Sequence, residues 1–188
     1  MDGAVNLMTF EECWKFVNRY GSIVQEKSEL EYIFNLIKGC SSYLEVGSAE
    51  GSSLYTFAHA LDNPVITYVD YAEPHTTPKR NEVLSALYRD LGITVRQVHG
   101  NSHDHAVVYA ACSQFYDVVF IDAGHQFEDV IADAMSYGNF ARKYLLFHDV
   151  QLPEVKRAFD WYCQQQGFKK VSTFIKSQSY GFGIVDLT

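Results

Sequence analysis

The chain has 188 residues, of which 47 % are hydrophobic and 20 % are charged, and its formal net charge is -8. This composition is typical of one globular domain with a full core and excludes a disordered chain. The negative charge argues against a nucleic-acid partner, because phosphate binding needs clustered Lys and Arg. The apolar runs are far too short to cross a bilayer, so no membrane segment is predicted.

The cysteines and the N-terminus bear on the cellular compartment in which the protein is expected. The four cysteines are widely separated and have no CxxC or paired-histidine spacing. This pattern predicts free thiols in a reducing compartment rather than disulfides or a zinc site. Residues 1–12 lack the basic start and long apolar core of a signal peptide. We therefore predict a cytoplasmic protein.

Two helices are predicted first along the chain. Thr9 and Glu12 have the spacing of a capping box and precede an apolar stripe, which predicts a helix starting at Thr9. Ser28 and Glu31 repeat that spacing, so a second helix is predicted from Ser28, with Gly39 as its stop.

Strands and helices then alternate. Short apolar runs predict five buried strands at 41–46, 64–70, 93–100, 116–123 and 143–150. Helical patterns follow them at 52–61, 79–91, 103–113, 127–138 and 153–166. Two last strands, 169–175 and 180–187, have only a polar turn around Lys176 to Ser179 between them and predict an antiparallel edge hairpin. Nearly continuous apolar strands alternating with helices predict an α/β fold whose parallel sheet is covered on both faces.

Polar residues follow the carboxyl end of each of the five predicted parallel strands. In order along the chain these are Glu45 and Gly47, Asp70 and Tyr71, Ser102 and His103, Asp122 and His125, and His148 and Asp149. Any one of them alone is readily explained as a helix cap or a turn residue. Ligands of open α/β sheets bind beyond these strand ends, so their occurrence at all five ends favours a ligand site.

The loop after the first strand indicates the kind of ligand. Gly47 and Gly51 would let the backbone approach a ligand closely, but their spacing is not the dinucleotide fingerprint. Asp70 ends the second strand, nineteen residues after Gly51, where a carboxylate accepts hydrogen bonds from ribose hydroxyls. A nucleoside is therefore indicated, and Glu45 at the loop entrance would repel a diphosphate.

The segments YLEVGSAEG, ITYVD, VHGNSHD, VVFIDAGH and LLFHDV, in that order, resemble the class I S-adenosylmethionine-dependent methyltransferases. The likeness is greatest to small O-methyltransferases of the catechol type and to the related sugar- and antibiotic-modifying group. It implies one doubly wound Rossmann-like domain over residues 28–188, preceded by an N-terminal helical extension, residues 1–27. It also implies a seven-stranded, mostly parallel sheet of strand order 3-2-1-4-5-7-6 with an antiparallel C-terminal hairpin.

The resemblance implies roles for individual residues. The S-adenosylmethionine site would comprise Glu45, Gly47, Gly51, Asp70, Tyr71, Ser102, His103 and Asp122. Within it, Glu45 would face the cofactor's ammonium, Asp70 the ribose, and Ser102 and His103 the adenine edge. In metal-dependent members the matching positions, here Asp122, His148 and Asp149, bind a divalent cation. His125, three residues after Asp122, would be the base.

Two departures from the family pattern bear on these roles. Ala49 stands where the loop usually has its middle glycine, and His148 stands where an oxygen ligand is commoner. Magnesium prefers oxygen, whereas imidazole suits manganese, iron or zinc, so the sequence leaves open whether a metal binds and whether it is Mg or Mn. In the alternative without a metal, His148 caps the strand and Asp149 caps the next turn.

We therefore predict an enzyme that transfers a methyl group to a hydroxyl of a small-molecule acceptor, with His125 and Asp122 as catalytic residues. A non-catalytic cofactor-binding or assembly subunit on the same fold is one alternative. A nucleotide-binding oxidoreductase is another, and the glycine spacing disfavours it. The loop 72–82 and the N-terminal helix are the candidate lids. The sequence does not determine the oligomeric state, and a homodimer is one option.

Overall fold

The computed structural model describes residues 7–20, 25–71, 78–176 and 179–188. The helices are α1 (Phe10–Tyr20), α2 (Lys27–Leu36), α3 (Ser52–Ala58), α4 (Pro78–Leu91), α5 (His105–Ala111), α6 (Phe127–Tyr137) and α7 (Pro153–Gln166). The strands are β1 (Ser42–Val46), β2 (Val65–Asp70), β3 (Arg96–His99), β4 (Tyr116–Ile121), β5 (Ala141–Phe147), β6 (Val171–Phe174) and β7 (Phe182–Asp186). A 3₁₀ turn at Gly138–Phe140 leads into β5.

The seven strands form one sheet of order β3-β2-β1-β4-β5-β7-β6. Strands β1 to β5 pair in parallel, whereas β7 runs antiparallel to both β5 and β6. The predicted fold class, strand order and edge hairpin are therefore confirmed. The strand order reverses beside β1, which lies between β2 and β4, and this is the point where open α/β sheets bind ligands.

Hydrophobic clusters cover both faces of the sheet, because successive side chains of a strand point to opposite faces. Tyr43 of β1 belongs to the cluster packed by α1 to α4, and its neighbour Leu44 belongs to the cluster packed by α5 to α7. Both side chains are fully buried. Phe10 and Val17 of α1 lie in the first cluster, so the N-terminal helix shares the core of the sheet.

Several predicted boundaries are wrong by a few residues. Helix α2 starts at Lys27, with Glu26 as its N-cap, because the Glu29 carboxylate accepts a hydrogen bond from the Glu26 backbone N–H at 3.2 Å. The predicted box of Ser28 and Glu31 does not form, since Ser28 lies inside the helix. Helix α3 ends at Ala58, where tighter i+3 hydrogen bonds begin. Strand β3 is shorter than predicted because its pairing with β2 begins at Arg96.

Other predictions concern the chain as a whole. All four cysteines are free thiols, as predicted. Within the described ranges, no helix combines the length and apolar character needed to cross a bilayer. Residues 72–77 of the candidate lid loop and 177–178 of the predicted hairpin turn lie outside the described residues. The division at residue 27 stays a prediction.

Candidate active site

Two adjoining cavities open at the carboxyl ends of the parallel strands. The first, of about 570 Å³, lies over β1 to β4, and the second, of about 240 Å³, lies over β1, β4 and β5. The residues that line both cavities are Gly47, Ala49, Asp122 and Ala123. Apart from Glu45 and Gly51, the predicted site residues therefore line one or both of these cavities, which meet at the ends of β1 and β4.

Gly47 lies where the two cavities meet. Its φ of 86° is in the left-handed region, and its N–H donates to the Val69 carbonyl at 2.9 Å. A Cβ atom here would lie 2.3 Å from the Asp122 carbonyl oxygen, so the approach of β1 to β4 requires glycine. Gly51, predicted to belong to the cofactor site, is the N-cap of α3, and a Cβ atom added there would lie 3.1 Å from the Val83 side chain of α4. It lines neither cavity, so its predicted role in cofactor binding stays a prediction.

Asp70 lines the first cavity and organises the loop after β1. Its Oδ2 accepts hydrogen bonds from the backbone N–H groups of Ser48 and Ala49, at 3.0 and 2.9 Å, and from the Ser48 hydroxyl at 3.2 Å. The buried Arg80 guanidinium donates to the same oxygen at 2.9 Å. The carboxylate predicted for the ribose is thus held in a fixed orientation at the end of β2.

The residues predicted for the adenine end also line the first cavity. Tyr71 is 77 % exposed, and Ser102 and His103 come from the loop after β3. His103 Nε2 lies 3.5 Å from Oδ1 of Asp133, a fully buried residue of α6. Burial raises the pKa of Asp133 to about 6. The structure therefore brings Asp70, Tyr71, Ser102 and His103 together in one cavity.

Glu45 lies beneath the cavities rather than in them. It is fully buried, and its carboxylate oxygens accept hydrogen bonds from the hydroxyls of Tyr43 and Ser53, both at 2.6 Å. Burial raises the pKa of Glu45 to about 8. Ser53 lines the second cavity, so Glu45 reaches that cavity through a hydroxyl group. Its predicted contact with the cofactor's ammonium stays a prediction.

The second cavity contains the predicted metal ligands. His148 Nδ1 lies 3.2 Å from Asp122 Oδ1 and 3.0 Å from Asp149 Oδ1. Burial opposes charging of the imidazole, but the Asp122 carboxylate and its neighbours raise the pKa of His148 to about 12. His148 Nε2 lies 3.8 Å from Oε2 of the buried Glu29. The Gln25 side-chain amide donates to Asp122 Oδ2 at 3.2 Å.

His125 lies at the mouth of the second cavity, over the strand ends as predicted. Its side chain is 46 % exposed, and its Nε2 lies 2.5 Å from Asp149 Oδ2. The hydrogen bond to Asp149 raises the pKa of His125. Because Nε2 faces Asp149, Nδ1 is the ring atom left to accept a proton from another group.

The ligand atoms of Asp122, His148 and Asp149 all lie within 4.8 Å of one another. Among the described residues, the buried Asp149 Oδ1 has no hydrogen-bond partner, although it lies 3.0 Å from His148 Nδ1. Two carboxylates and one imidazole form a donor set for manganese, iron or zinc rather than for a cation that takes only oxygen. These residues therefore fit a divalent transition metal.

Three buried charged residues beside the site were missed by the sequence patterns. Glu29, Arg80 and Asp133 are at most 3 % exposed. Each lies on the apolar stripe of its helix, as Arg80 does three residues before the buried Val83. A charged residue on an apolar stripe is the signal that could have found them, because a buried charge requires a partner.

The doubly wound sheet, with a cavity at its switch point and an acidic group ending β2, defines an α/β protein of the Rossmann-like class. The sequence profile of the family described as "Methyltransferase domain" matches residues 44–150, more than half of the chain. The chain belongs to this methyltransferase family, and the predicted family and the prediction of an enzyme are confirmed. A search of curated protein sequences gives no match.

Solved structures share the fold at low sequence identity. A provisionally assigned caffeoyl-CoA O-methyltransferase from Staphylococcus aureus has a TM-score of 0.69 and 20 % identity, over 95 % of this chain and 92 % of that one. An O-methyltransferase from Bacillus cereus, in complex with SAH, has a TM-score of 0.68 and 15 % identity, over 94 % and 90 %. MycE methyltransferase of the mycinamycin pathway, with Mg and SAH, has a TM-score of 0.64 and 12 % identity, over 97 % and 55 %.

Proposed function

We propose that the protein is an S-adenosylmethionine-dependent O-methyltransferase that acts on a hydroxyl of a small molecule. The observation that carries the proposal is the junction of the two cavities at Gly47 and Asp122. The first cavity is lined by Asp70, the carboxylate predicted to bind a ribose, and the second is lined by His125, the predicted base. The cofactor-bound fold neighbours from Bacillus cereus and the mycinamycin pathway support the choice of cofactor.

Cofactor binding is assigned to the first cavity. When bound, S-adenosylmethionine supplies a methyl group already activated on a sulfonium. Asp70 would accept hydrogen bonds from the ribose, and Tyr71, Ser102 and His103 would contact the adenine. Gly47 and Asp122, at the junction of the two cavities, would hold the reactive end of the cofactor. The amino-acid end of the cofactor would extend from the first cavity into the second, where Glu45 would support it through its hydrogen bond with Ser53.

Acceptor activation is assigned to the second cavity. Asp149 holds His125 through Nε2, so that Nδ1 would take the proton of the acceptor hydroxyl. A divalent cation held by Asp122, His148 and Asp149 would lower the pKa of the acceptor hydroxyl. The presence of Mg in MycE supports a metal-assisted variant of this chemistry. The acidic, hydroxyl-lined cavity suits a small acceptor rather than a nucleic acid.

Calorimetry with SAM and SAH tests the cofactor assignment. Asp70→Ala should weaken SAH binding by about one to two powers of ten, because charge-assisted hydrogen bonds contribute about 1.5–3 kcal/mol each. Asp160→Ala, an exposed change on α7, is the matched control and should bind normally. Unchanged affinity in Asp70→Ala would remove the ribose assignment. Mass spectrometry of a broad hydroxyl-acceptor panel then tests turnover, and a non-catalytic subunit would methylate none.

A further inference from the structure

Arg80 is a buried cation on the apolar face of α4. Its side chain is 4 % exposed, and its guanidinium lies 5.9 Å from the centre of the Tyr68 ring. Nη2 donates to Asp70 Oδ2 at 2.9 Å, and Nε donates to the Ala49 carbonyl at 2.6 Å. Nη2 also contacts the Ala49 carbonyl. One planar guanidinium therefore joins the carboxylate at the end of β2 to the loop after β1.

Ala49 is the residue that this contact restrains. Its φ of 43° is in the left-handed region, which glycine adopts freely and alanine disfavours. The Ala49 N–H donates to Asp70 Oδ2 at 2.9 Å, and the Ala49 carbonyl accepts from Arg80. The peptide groups on both sides of Ala49 are thus held by the Asp70–Arg80 pair. Ala49 lines both cavities, so its conformation shapes the cofactor site and the acceptor site together.

We propose that Arg80 is a positioning residue for the cofactor, which holds the loop after β1 in its binding shape by fixing the left-handed backbone of Ala49. This inference rests on the proposed function. The guanidinium stabilises the left-handed backbone of Ala49 through its hydrogen bonds to the Ala49 carbonyl and to Asp70. A glycine at position 49 would adopt the same conformation without this support. A lysine could neutralise Asp70 but lacks the planar fork that reaches Asp70 and Ala49 at once.

A double-mutant cycle between positions 80 and 49 tests the inference. The variants are Arg80→Met, Arg80→Lys, Ala49→Gly and the double variant Arg80→Met with Ala49→Gly. For each one, calorimetry measures SAH affinity and thermal unfolding measures stability. We expect Arg80→Met and Arg80→Lys to weaken SAH binding by at least about tenfold, because the loop then leaves its binding shape. Glycine at position 49 should recover most of that loss in the double variant.

Three results would overturn the inference. The first is a double variant that binds SAH as weakly as Arg80→Met alone, since Arg80 would then not act through Ala49. The second is an Arg80→Lys variant with wild-type affinity, since charge alone would then suffice. The third is a lower melting temperature with unchanged SAH affinity, as a purely structural ion pair would give. If Arg80→Met does not fold, the same cycle is run with Arg80→Lys.

The same measurements separate this inference from the proposed function. A wild-type protein that binds neither SAM nor SAH contradicts the proposed function itself. A wild-type protein that binds SAH normally, with no recovery from glycine at position 49, contradicts only the role of Arg80.

Discussion

Gly47 brings the backbones of β1 and β4 closer together than a side chain allows. We expect Gly47→Ala to destabilise the fold by about 1–3 kcal/mol and to abolish SAH binding, because the added methyl group must push Asp122 and Ala123 away. Gly39→Ala is the matched control. Gly39 has a similar φ of 79°, but nothing lies within 4 Å of the position that an added Cβ would take, so only the backbone strain remains. If Gly47→Ala and Gly39→Ala lose the same free energy of unfolding in chemical denaturation, the close approach of β1 to β4 at Gly47 does not require glycine.

Glu45 should make stability depend on pH. Its folded pKa, about 8, lies above the ordinary value of 4.5, so between these values the folded state binds more protons than the unfolded state. Glu45 should therefore lower the free energy of unfolding as the pH rises from about 4.5 to 8. Glu45→Gln removes the titration and should gain stability relative to wild type across that range. Urea denaturation at several pH values measures the free energy of unfolding of wild type and Glu45→Gln. If the two change with pH by the same amount, the raised pKa of Glu45 is contradicted.

His125 is expected to act in turnover and not in cofactor binding. His125→Ala should lower kcat by roughly two to four powers of ten and leave the SAH dissociation constant nearly unchanged. His105→Ala, an exposed change at the start of α5, is the control. Because Asp149 raises the pKa of His125 and the base works deprotonated, wild-type turnover should rise with pH through a value above 6.5. A His125→Ala variant that loses SAH binding instead would make His125 structural.

At the level of elements, Glu29 joins three parts of the fold. Its carboxylate accepts hydrogen bonds from the backbone N–H of Glu26 at the start of α2 and of Gly181 before β7, at 3.2 and 2.5 Å. It also lies 3.8 Å from His148 Nε2, at the end of β5. Helix α2 and the C-terminal hairpin are thereby fixed beside the second cavity.

Removing the Glu29 carboxylate should therefore destabilise the protein. We expect a loss of about 1–3 kcal/mol for Glu29→Ala, because the backbone N–H groups of Glu26 and Gly181 lose their acceptor, and a smaller loss for Glu29→Gln, whose side-chain oxygen can still accept. Glu31→Gln, on the exposed face of the same helix, should change the free energy of unfolding by less than about 0.5 kcal/mol. If Glu29→Gln and Glu31→Gln unfold at the same denaturant concentration, Glu29 does not join these elements.

For the whole molecule, a bound metal should stabilise the fold by linkage. Mn²⁺ should raise the melting temperature of the wild type, and Asp149→Ala should abolish that rise, because ligand bound to the folded state adds to its stability. Binding should tighten as pH rises, since His148, with a pKa of about 12, must lose a proton to become a ligand. Asp160→Ala is the control. Equal metal content in wild type and Asp149→Ala after dialysis would place the ligands elsewhere.

The side-chain patterns of the sequence determined the α/β fold class and the edge of the sheet where the site lies, and the resemblance to a known family supplied the strand order. Strand and helix periods follow from local side-chain patterns, and the carboxyl ends of parallel strands must meet at one edge. The predicted helix ends were less accurate. At α2, for example, the N-cap is Glu26 rather than the predicted Ser28, and local spacing does not distinguish these two residues.

Only the tertiary structure decided how the site is built. Glu29, Arg80 and Asp133 belong to three helices, and their charged partners, His148, Asp70 and His103, belong to other elements or loops, so no local pattern assigns them. The tertiary structure also distinguished Glu45 from Asp70. Glu45 is buried beneath the cavities, whereas Asp70 lines the first of them. The physical reason is that hydrophobic periodicity specifies which face of an element is buried, whereas charge pairing depends on which faces of different elements pack together.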